Sequence, residues 1–365
     1  MNNITYSGAL DLTELKHVEL PADDVEQYSV RRGDLLFNRT NSQELVGKMA
    51  VWDRNEAYAF AGYLVRVRLQ RERADPRFVA AWFNTPGMKA QLRTRAKPSI
   101  NMSNINATEL LTFPLVLPPL PEQRRIADIL DRAEELRAKR RAALAKLDTL
   151  TQAIFIDLFG DPKANPKSWP VTPMADLFAT SPIFGSMIPP ESEERGWLSL
   201  RVGNIQDWNL DFSDQKYIDL SKEAIERHSV RDGDLLMARA IASREHLGKC
   251  VVVYPRGRKW AFDSHLMRIR FDPVKAEPEF IRHLLMTPGG RSLFLSASRK
   301  STVQYNVNTK EISALRIPVP PLPLQQEFAR RVAAVEQLRS AHRVSLAQLD
   351  ALFASLQHRA FRGEL

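Results

Sequence analysis

A chain of 365 residues, 44% hydrophobic and 26% charged, has room for two ordinary domains and is not disordered by composition. Its 52 Lys and Arg outnumber 43 Asp and Glu, a formal charge of +9 that suits a polyanionic partner such as nucleic acid or an acidic membrane surface, and equally a merely basic soluble protein. One cysteine, Cys250 in the strand-like run KCVVVY, excludes an internal disulfide and a cysteine-based metal cluster, and fits a reducing cytoplasm.

The opening residues MNNITYSGALDL lack the basic and apolar regions of a signal peptide, and no apolar run approaches the ~18 residues of a membrane span, so a cytoplasmic protein is expected. Residues 1–117 then carry short alternating or β-branched runs, such as KMAVW and LVRVRL, between Gly, Pro, Asn and Asp punctuation, the pattern of a mixed β-rich domain. At 118–160 the period changes. A rigid PPLP turn opens a helix in which Ile126, Ile129, Ala133, Leu136, Arg140, Ala143, Leu147, Leu150, Ile154 and Asp157 step by three and four residues, as in a coiled-coil seam.

The chain then repeats itself. YSVRRGDLLFNR from Tyr28 matches HSVRDGDLLMAR from His228, DPRFVAAWFNTPG from Asp75 matches EPEFIRHLLMTPG from Glu277, and Ser99, Asn106 and Pro118 match Ser301, Asn308 and Pro320. A second β-rich domain is therefore expected over 161–317, with KCVVVYP and LMRIRF as its strands. A second turn and helix follow over 318–365, with Phe328, Arg331, Val335, Leu338, His342, Ser345, Leu349, Leu352, Leu356 and Arg359 in the same register. Pro121 and Pro323 suit the first helical position, where a missing N–H costs nothing, so the turn aims the helix relative to its domain. A helix of about 37 residues is roughly 55 Å long, too long for one small domain. The economical arrangement is an antiparallel intramolecular pair with a globular domain at each end. The expected fold is thus α/β of the α+β kind: two similar mixed β-rich domains joined by two long coiled-coil helices with internal pseudo-twofold symmetry.

This order in duplicate, with GDLL at Gly33 and Gly233, TPG at Thr85 and Thr287, and a proline turn followed by Gln123 or Gln325, resembles the specificity subunit (HsdS) of a Type I restriction-modification system. The resemblance covers nearly the whole chain. It implies two target recognition domains reading the two halves of a split DNA site, no catalysis in this chain, two modification (methyltransferase) subunits and restriction (translocase/endonuclease) subunits as partners, and S-adenosylmethionine, ATP and Mg held by those partners rather than here. It also places partner docking on the proline turns, at Pro121, Glu122, Gln123, Pro323 and Gln325. Two departures stand out. The second turn has Leu324 where the first has Glu122, and roughly the first thirty residues of the repeated unit have no counterpart in the first copy, so the first recognition domain reads as truncated.

No Gly-rich cofactor loop follows a strand, no Asn/Asp-Pro-Pro-aromatic run suits a flipped base, and no Walker loop, H-E-x-x-H helix or nuclease carboxylate cluster is present. Candidate DNA contacts are the polar, basic loop segments, because Arg grips guanine, Asn or Gln pairs with adenine and Lys neutralises phosphate. In the first copy these are Arg39, Asn41, Arg95, Lys97 and Ser99; in the second Arg239, Arg244, His246, Lys249, Arg299, Lys300, Ser301 and Gln304. Trp52, Trp82 and Trp260 read as core, Gly33 and Gly233 as strand-entry turns, and Arg140 either as a register-setting polar layer in the seam or as a side chain that snorkels to solvent. Histidine spacing suggests no metal. The rival reading is a coiled-coil assembly adaptor without DNA specificity.

Overall fold

The computed structural model describes residues 2–56, 58–99, 102–241, 247–297, 299–300 and 305–365. Two compact units divide the chain: Met1–Ala143 with His342–Leu365, and Leu144–Ala341. Each holds one β-rich domain together with a stretch of both long helices, Leu120–Phe159 and Leu322–Ala360. The mixed α/β architecture expected from the two periodicities is the one the chain forms.

In the first unit three antiparallel strands lie in the order Met49–Val51, Leu35–Asn38, Leu64–Val67. The sequence sets the entry to the middle strand. Gly33 adopts φ 89° and its N–H reaches the Trp52 carbonyl, while the Asp34 carboxylate accepts from the Arg31 N–H. A left-handed turn of this kind suits glycine because it has no Cβ. The helix Pro76–Phe83 starts on Asp75, which caps the Arg77 N–H, and Pro86–Arg95 starts on Thr85, which caps Met88; each carries proline where a donor would be orphaned. Their inward faces bury Phe78, Val79, Phe83 and Leu92 against Leu35, Phe37 and Met49, and Ile126 and Leu130 of the first long helix close this core.

The second unit repeats the plan. Asp234–Ala238 lies between Cys250–Val253 and Leu266–Phe271, and helices Pro278–Met286 and Pro288–Ala297 follow. Phe178–Phe184 adds a fourth strand outside Leu266–Phe271, and a separate sheet pairs Trp197–Leu200 with Tyr217–Ile218 and, in parallel, with Trp260–Phe262. Cys250 is fully buried in its strand, and Trp52 and Trp260 are core residues. Trp82, half-buried, stacks edge-on against Phe361.

The helices pair antiparallel within each unit, on a seam displaced from the expected one. In the first unit Arg137 meets Asp350 at 2.7 Å and lies over the Phe353 ring, and Arg140 meets His342. In the second, Asp148 meets Arg339 at 2.8 Å and Phe155 meets Phe328. The seam keeps Ile126, Ala133, Arg140, Leu147 and Ile154, but its alternate positions are Leu130, Arg137, Leu144, Thr151 and Leu158, one residue beyond those read from the sequence. The second helix shifts identically, to Val332, Arg339, Leu346, Phe353 and Ala360. Leu136, Leu150, Leu338 and Leu352 are consequently exposed, at 52, 40, 52 and 49%. The two registers share half their positions, and the displaced one wins because an arginine stem fills a seam when its guanidinium has carboxylates at the rim. Arg137 has Glu134 and Asp350; Arg339 has Glu336 and Asp148.

Candidate nucleic-acid interface

Beyond the core strands each domain carries a small polar three-stranded sheet. In the first, Met102–Asn104 runs between Thr40–Asn41 and Lys97–Ser99, with Thr40 opposite Asn104 and Asn104 opposite Lys97. The sheet is tied to the core by the Ile105 N–H, which donates to the Arg39 carbonyl. Residues directly opposite one another share a face. Thr40, Asn104 and Lys97 therefore share one, and Asn41, Ser103 and Pro98 the other. Ser103 is buried, whereas Lys97 and Pro98 of the outer strand are both exposed, so the sheet meets solvent along Lys97–Ser99.

Hydrogen bonds fix both faces. The Asn104 amide donates to Thr40 Oγ1 at 2.7 Å and accepts from the Arg39 guanidinium at 3.4 Å, while the Asn41 amide donates to Asn38 Oδ1 at 2.8 Å. Arg39 and Asn41 are thus brought beside Lys97 and Ser99, more than fifty residues further along the chain, at one sheet. Arg95, the last residue of its helix, lies with its guanidinium 4.5 Å over the Phe113 ring and donates to Thr112.

The second domain repeats the sheet with Tyr305–Asn306 between Ala240–Ile241 and Arg299–Lys300. Asn306 stands opposite both Ala240 and Arg299, so Arg299 occupies the register position of Lys97 and Lys300 that of Pro98. The Val307 N–H donates to the Arg239 carbonyl, matching the Ile105 tie. Arg239 Nε donates to the Ser264 carbonyl and its guanidinium lies 4.1 Å over Phe184; Lys249 is half-buried beside the strand Cys250–Val253. Arg244, His246, Ser301 and Gln304 lie outside the described residues, and Ser99, Arg299 and Lys300 are placed by backbone alone.

Sequence reading missed Asn104 and Asn306, the shared centre of both sheets. A signal for them existed. SNIN and YNVN match at the same offset as the capping residues Asn106 and Asn308, whose side chains accept from Glu109 and Glu311.

At the proline turns, Pro121 and Pro323 are exposed and Glu122 is partly so, its carboxyl held below the usual range by the hydrogen-bonded Arg125. The two glutamines expected beside them as docking residues turn inward. Gln123 Oε1 accepts the Asp75 N–H at 2.9 Å and its amide donates to the Arg73 and Pro118 carbonyls; Gln325 accepts from Glu277 at 2.9 Å and donates to Pro320 at 2.7 Å. Both are fully buried, so each latches its long helix to the start of a domain helix and offers no amide to a partner. Among the described residues no three His, Cys, Asp or Glu gather to hold a metal ion, and no helix is long and apolar enough to cross a membrane.

The sequence model of the Type I restriction modification DNA specificity domain matches residues 1–146 and again 204–349. The chain is similar to the Type I restriction enzyme EcoKI specificity subunit of Escherichia coli (strain K12), 25% identical over all of this chain and 81% of that one. It is also similar to the putative type I restriction enzyme MjaX specificity subunit of Methanocaldococcus jannaschii, 22% identical over 93% of this chain and 80% of the relative. Among solved structures, the Type I restriction-modification S subunit of M. genitalium superposes with a TM-score of 0.59 at 13% identity, over 92% of this chain and 84% of its own. A chain from a study of assembly and conformational transition in the type I R-M system superposes with a TM-score of 0.52 at 19% identity, over all of this chain and 90% of that one. With its family signature matched twice and its two domains built alike, this chain belongs to the HsdS family of Type I restriction-modification DNA specificity subunits.

Proposed function

We propose that this chain reads a bipartite DNA site, each domain recognising one half, and that it assembles methyltransferase and restriction subunits without catalysing a reaction itself. The observation that carries this reading is the duplicated polar sheet. Asn104 and Asn306 keep the same register position, and a cationic residue, Lys97 or Arg299, stands opposite each. Around them Thr40, Asn41 and Ser103 are replaced by Ala240, Ile241 and Tyr305. One scaffold with different side chains suits two readers of different half-sites, since base edges are told apart by the donors and acceptors presented to them. On this reading S-adenosylmethionine, ATP and Mg²⁺ are bound by the partner subunits.

Docking of those partners falls on the helices as well as the proline turns. Each unit exposes one leucine from each long helix: Leu136 with Leu352 in the first, Leu150 with Leu338 in the second. Equivalent surfaces repeated in one chain allow two copies of the same partner to bind.

Replacing both Arg299 and Lys300 by alanine is expected to weaken duplex binding by ~1 to 3 kcal/mol per lost base contact, or to relax one half-site, with partner assembly intact. Methylome sequencing of cells carrying the partner subunits, with wild-type or variant chain, reads the outcome. An unchanged motif and unchanged salt-dependent affinity would remove these residues from the interface, and a wild-type chain with no salt-dependent DNA binding would favour the adaptor reading.

The helices act as a spacer on this proposal. Four residues inserted in both, near Ala142 and Val344, add ~6 Å of helix and are expected to lengthen the nonspecific gap by about two base pairs while both half-sites stay the same. An active variant with an unchanged gap would refute the spacer role.

A further inference from the structure

A cavity of about 830 Å³ opens within the first unit, at the Gly33 end of the strand Leu35–Asn38, whereas the polar sheet continues from the Asn38 end. Its walls include Val51 and Asp53 at the sheet edge, Ala80 and Ala81 of the domain helix, and Leu130 and Phe353 of the two long helices. Small residues leave this space. Counting from the matched prolines Pro76 and Pro278, Ala80 and Ala81 hold the places of Arg282 and His283 in the second domain; counting from Pro121 and Pro323, Gln357 holds that of Phe155. Arg282, His283 and Phe155 are all buried. Every position compared is present in both copies.

Charge is balanced differently as well. In the second domain Arg282 donates to the Trp208 carbonyl at 2.5 Å and has the Glu279 carboxylate at 3.1 Å. In the first, the corresponding Tyr6 carbonyl accepts from Lys89, whose ammonium stands 3.7 Å over the Tyr6 ring, and Arg77 occupies the position of Glu279. Each carboxylate lining the cavity already has a cation: Asp131 and Asp75 have Arg77, Asp53 has Arg54 and Glu134 has Arg137. Lys89 is 5% exposed and pairs with no carboxylate among the described residues; burial, then Arg93 and Lys48, push its ammonium down to about 8. A buried charge without a counter-charge is costly. Gln357, also buried, makes one hydrogen bond, from its amide to the Ala81 carbonyl at 3.4 Å, and its other donor and its carbonyl have no partner among the described residues.

We propose that this cavity binds a small organic carboxylate with an aromatic body, the carboxylate on Lys89 and the ring in the space that Arg282, His283 and Phe155 fill in the second domain. The second domain shows the chemistry that fits: Glu279 is the carboxylate beside the cation, and Phe155 and His283 are the rings. A cavity of several hundred Å³ with apolar walls and a few fixed polar groups suits a ligand of this size.

Titration calorimetry on the full chain tests this, with 2-naphthylacetate as the probe and 2-naphthylacetamide as its uncharged counterpart. The acid is expected to bind with a Kd on the order of 1 mM, the scale for so few atoms, and the amide at least ~10-fold more weakly. That comparison needs no variant. Lys89→Met, which exchanges a buried charge for an apolar chain, is expected to bring the acid down to the affinity of the amide. Ala81→His, which restores the side chain of the second domain, is expected to abolish binding of both. Equal binding of acid and amide, binding of the acid that survives either substitution, or tighter binding of 2-naphthyl phosphate than of the acid would each overturn the inference.

Discussion

Asp234→Ala is expected to lower the stability of the second domain by roughly 3 to 5 kcal/mol, the range for removing one partner of a buried ion pair. The Asp234 side chain is 1% exposed and accepts from Arg270 Nε at 2.7 Å, from Arg270 Nη2 at 2.8 Å and from the Arg231 N–H at 2.7 Å. Arg268 approaches to 4.0 Å, its guanidinium pushed down to about 10 by burial and by neighbouring Arg270. Losing the carboxylate leaves the Arg270 guanidinium and the Arg231 N–H without their acceptor, and Arg268, still bonded to the Arg227 and Ser229 carbonyls, without its nearby counter-charge, which costs more than the bonds themselves contributed. The equivalent Asp34→Ala is expected to cost less, roughly 1 to 3 kcal/mol. Arg68, its partner at 3.3 Å, has a side chain 41% exposed and can turn to water. Pulse proteolysis in denaturant, with fragments assigned to each domain, measures both. Equal losses in the two variants would show that burial of the arginines does not set the cost. Asp234 also opens the strand that ends beside Arg239, so loosening it disturbs the polar sheet without touching a candidate contact.

The duplication that carries the family was legible because it rests on residues whose roles are local. Gly33 and Gly233 serve a turn, Thr85 and Thr287 cap a helix, and the prolines stand where no donor is needed; such demands leave the same letters in both copies. The helix seam was legible only in part. A three-four pattern can take its alternate member from either side of the shared positions, and Leu136 and Leu150 marked the wrong side. What decides between them is three-dimensional, namely the carboxylates Asp350 and Asp148 brought by the antiparallel partner.

The candidate interface shows the same limit. Polar loop residues announce themselves, but whether a side chain meets solvent depends on its strand's place in the sheet: Ser103 is buried in the middle strand, and Lys97 and Pro98 are exposed on the outer one. Gln123 and Gln325 illustrate the converse. A polar residue beside an exposed proline turn reads as surface, yet its amide satisfies the backbone where a domain helix begins, and no sequence pattern foretold that closure.

Acid is expected to unfold the second domain before the first, through His283. The residue is 7% exposed; its Nδ1 lies 2.9 Å from the Glu279 carbonyl, to which it donates, and its ring packs edge-on against Phe328 at 5.2 Å. The Glu279 carboxylate, 3.7 Å away, is engaged by Arg282 at 3.1 Å. Burial, then the adjacent Arg282 charge, push the imidazole down to about 3. A histidine in the unfolded chain titrates near 6.5. Between those values the unfolded state binds more protons than the folded one, so the stabilisation is present in full above about 6.5 and is lost as pH falls towards 3. At ~1.4 kcal/mol per pH unit, the loss reaches roughly 2 kcal/mol by pH 5. The first domain has Ala81 in the equivalent place and should lack this dependence. Denaturant unfolding of each domain at pH 7, 6 and 5 measures it, and His283→Phe, whatever its own stability, is expected to flatten the slope of the second domain. The same slope in the variant, or a matching slope in the first domain, would assign the acid sensitivity to other groups. The consequence reaches the seam, because Phe328 belongs to the long helix and stacks with Phe155 and Phe159 as well as with His283. Charging this one imidazole therefore loosens the packing that holds the start of the second helix to its domain.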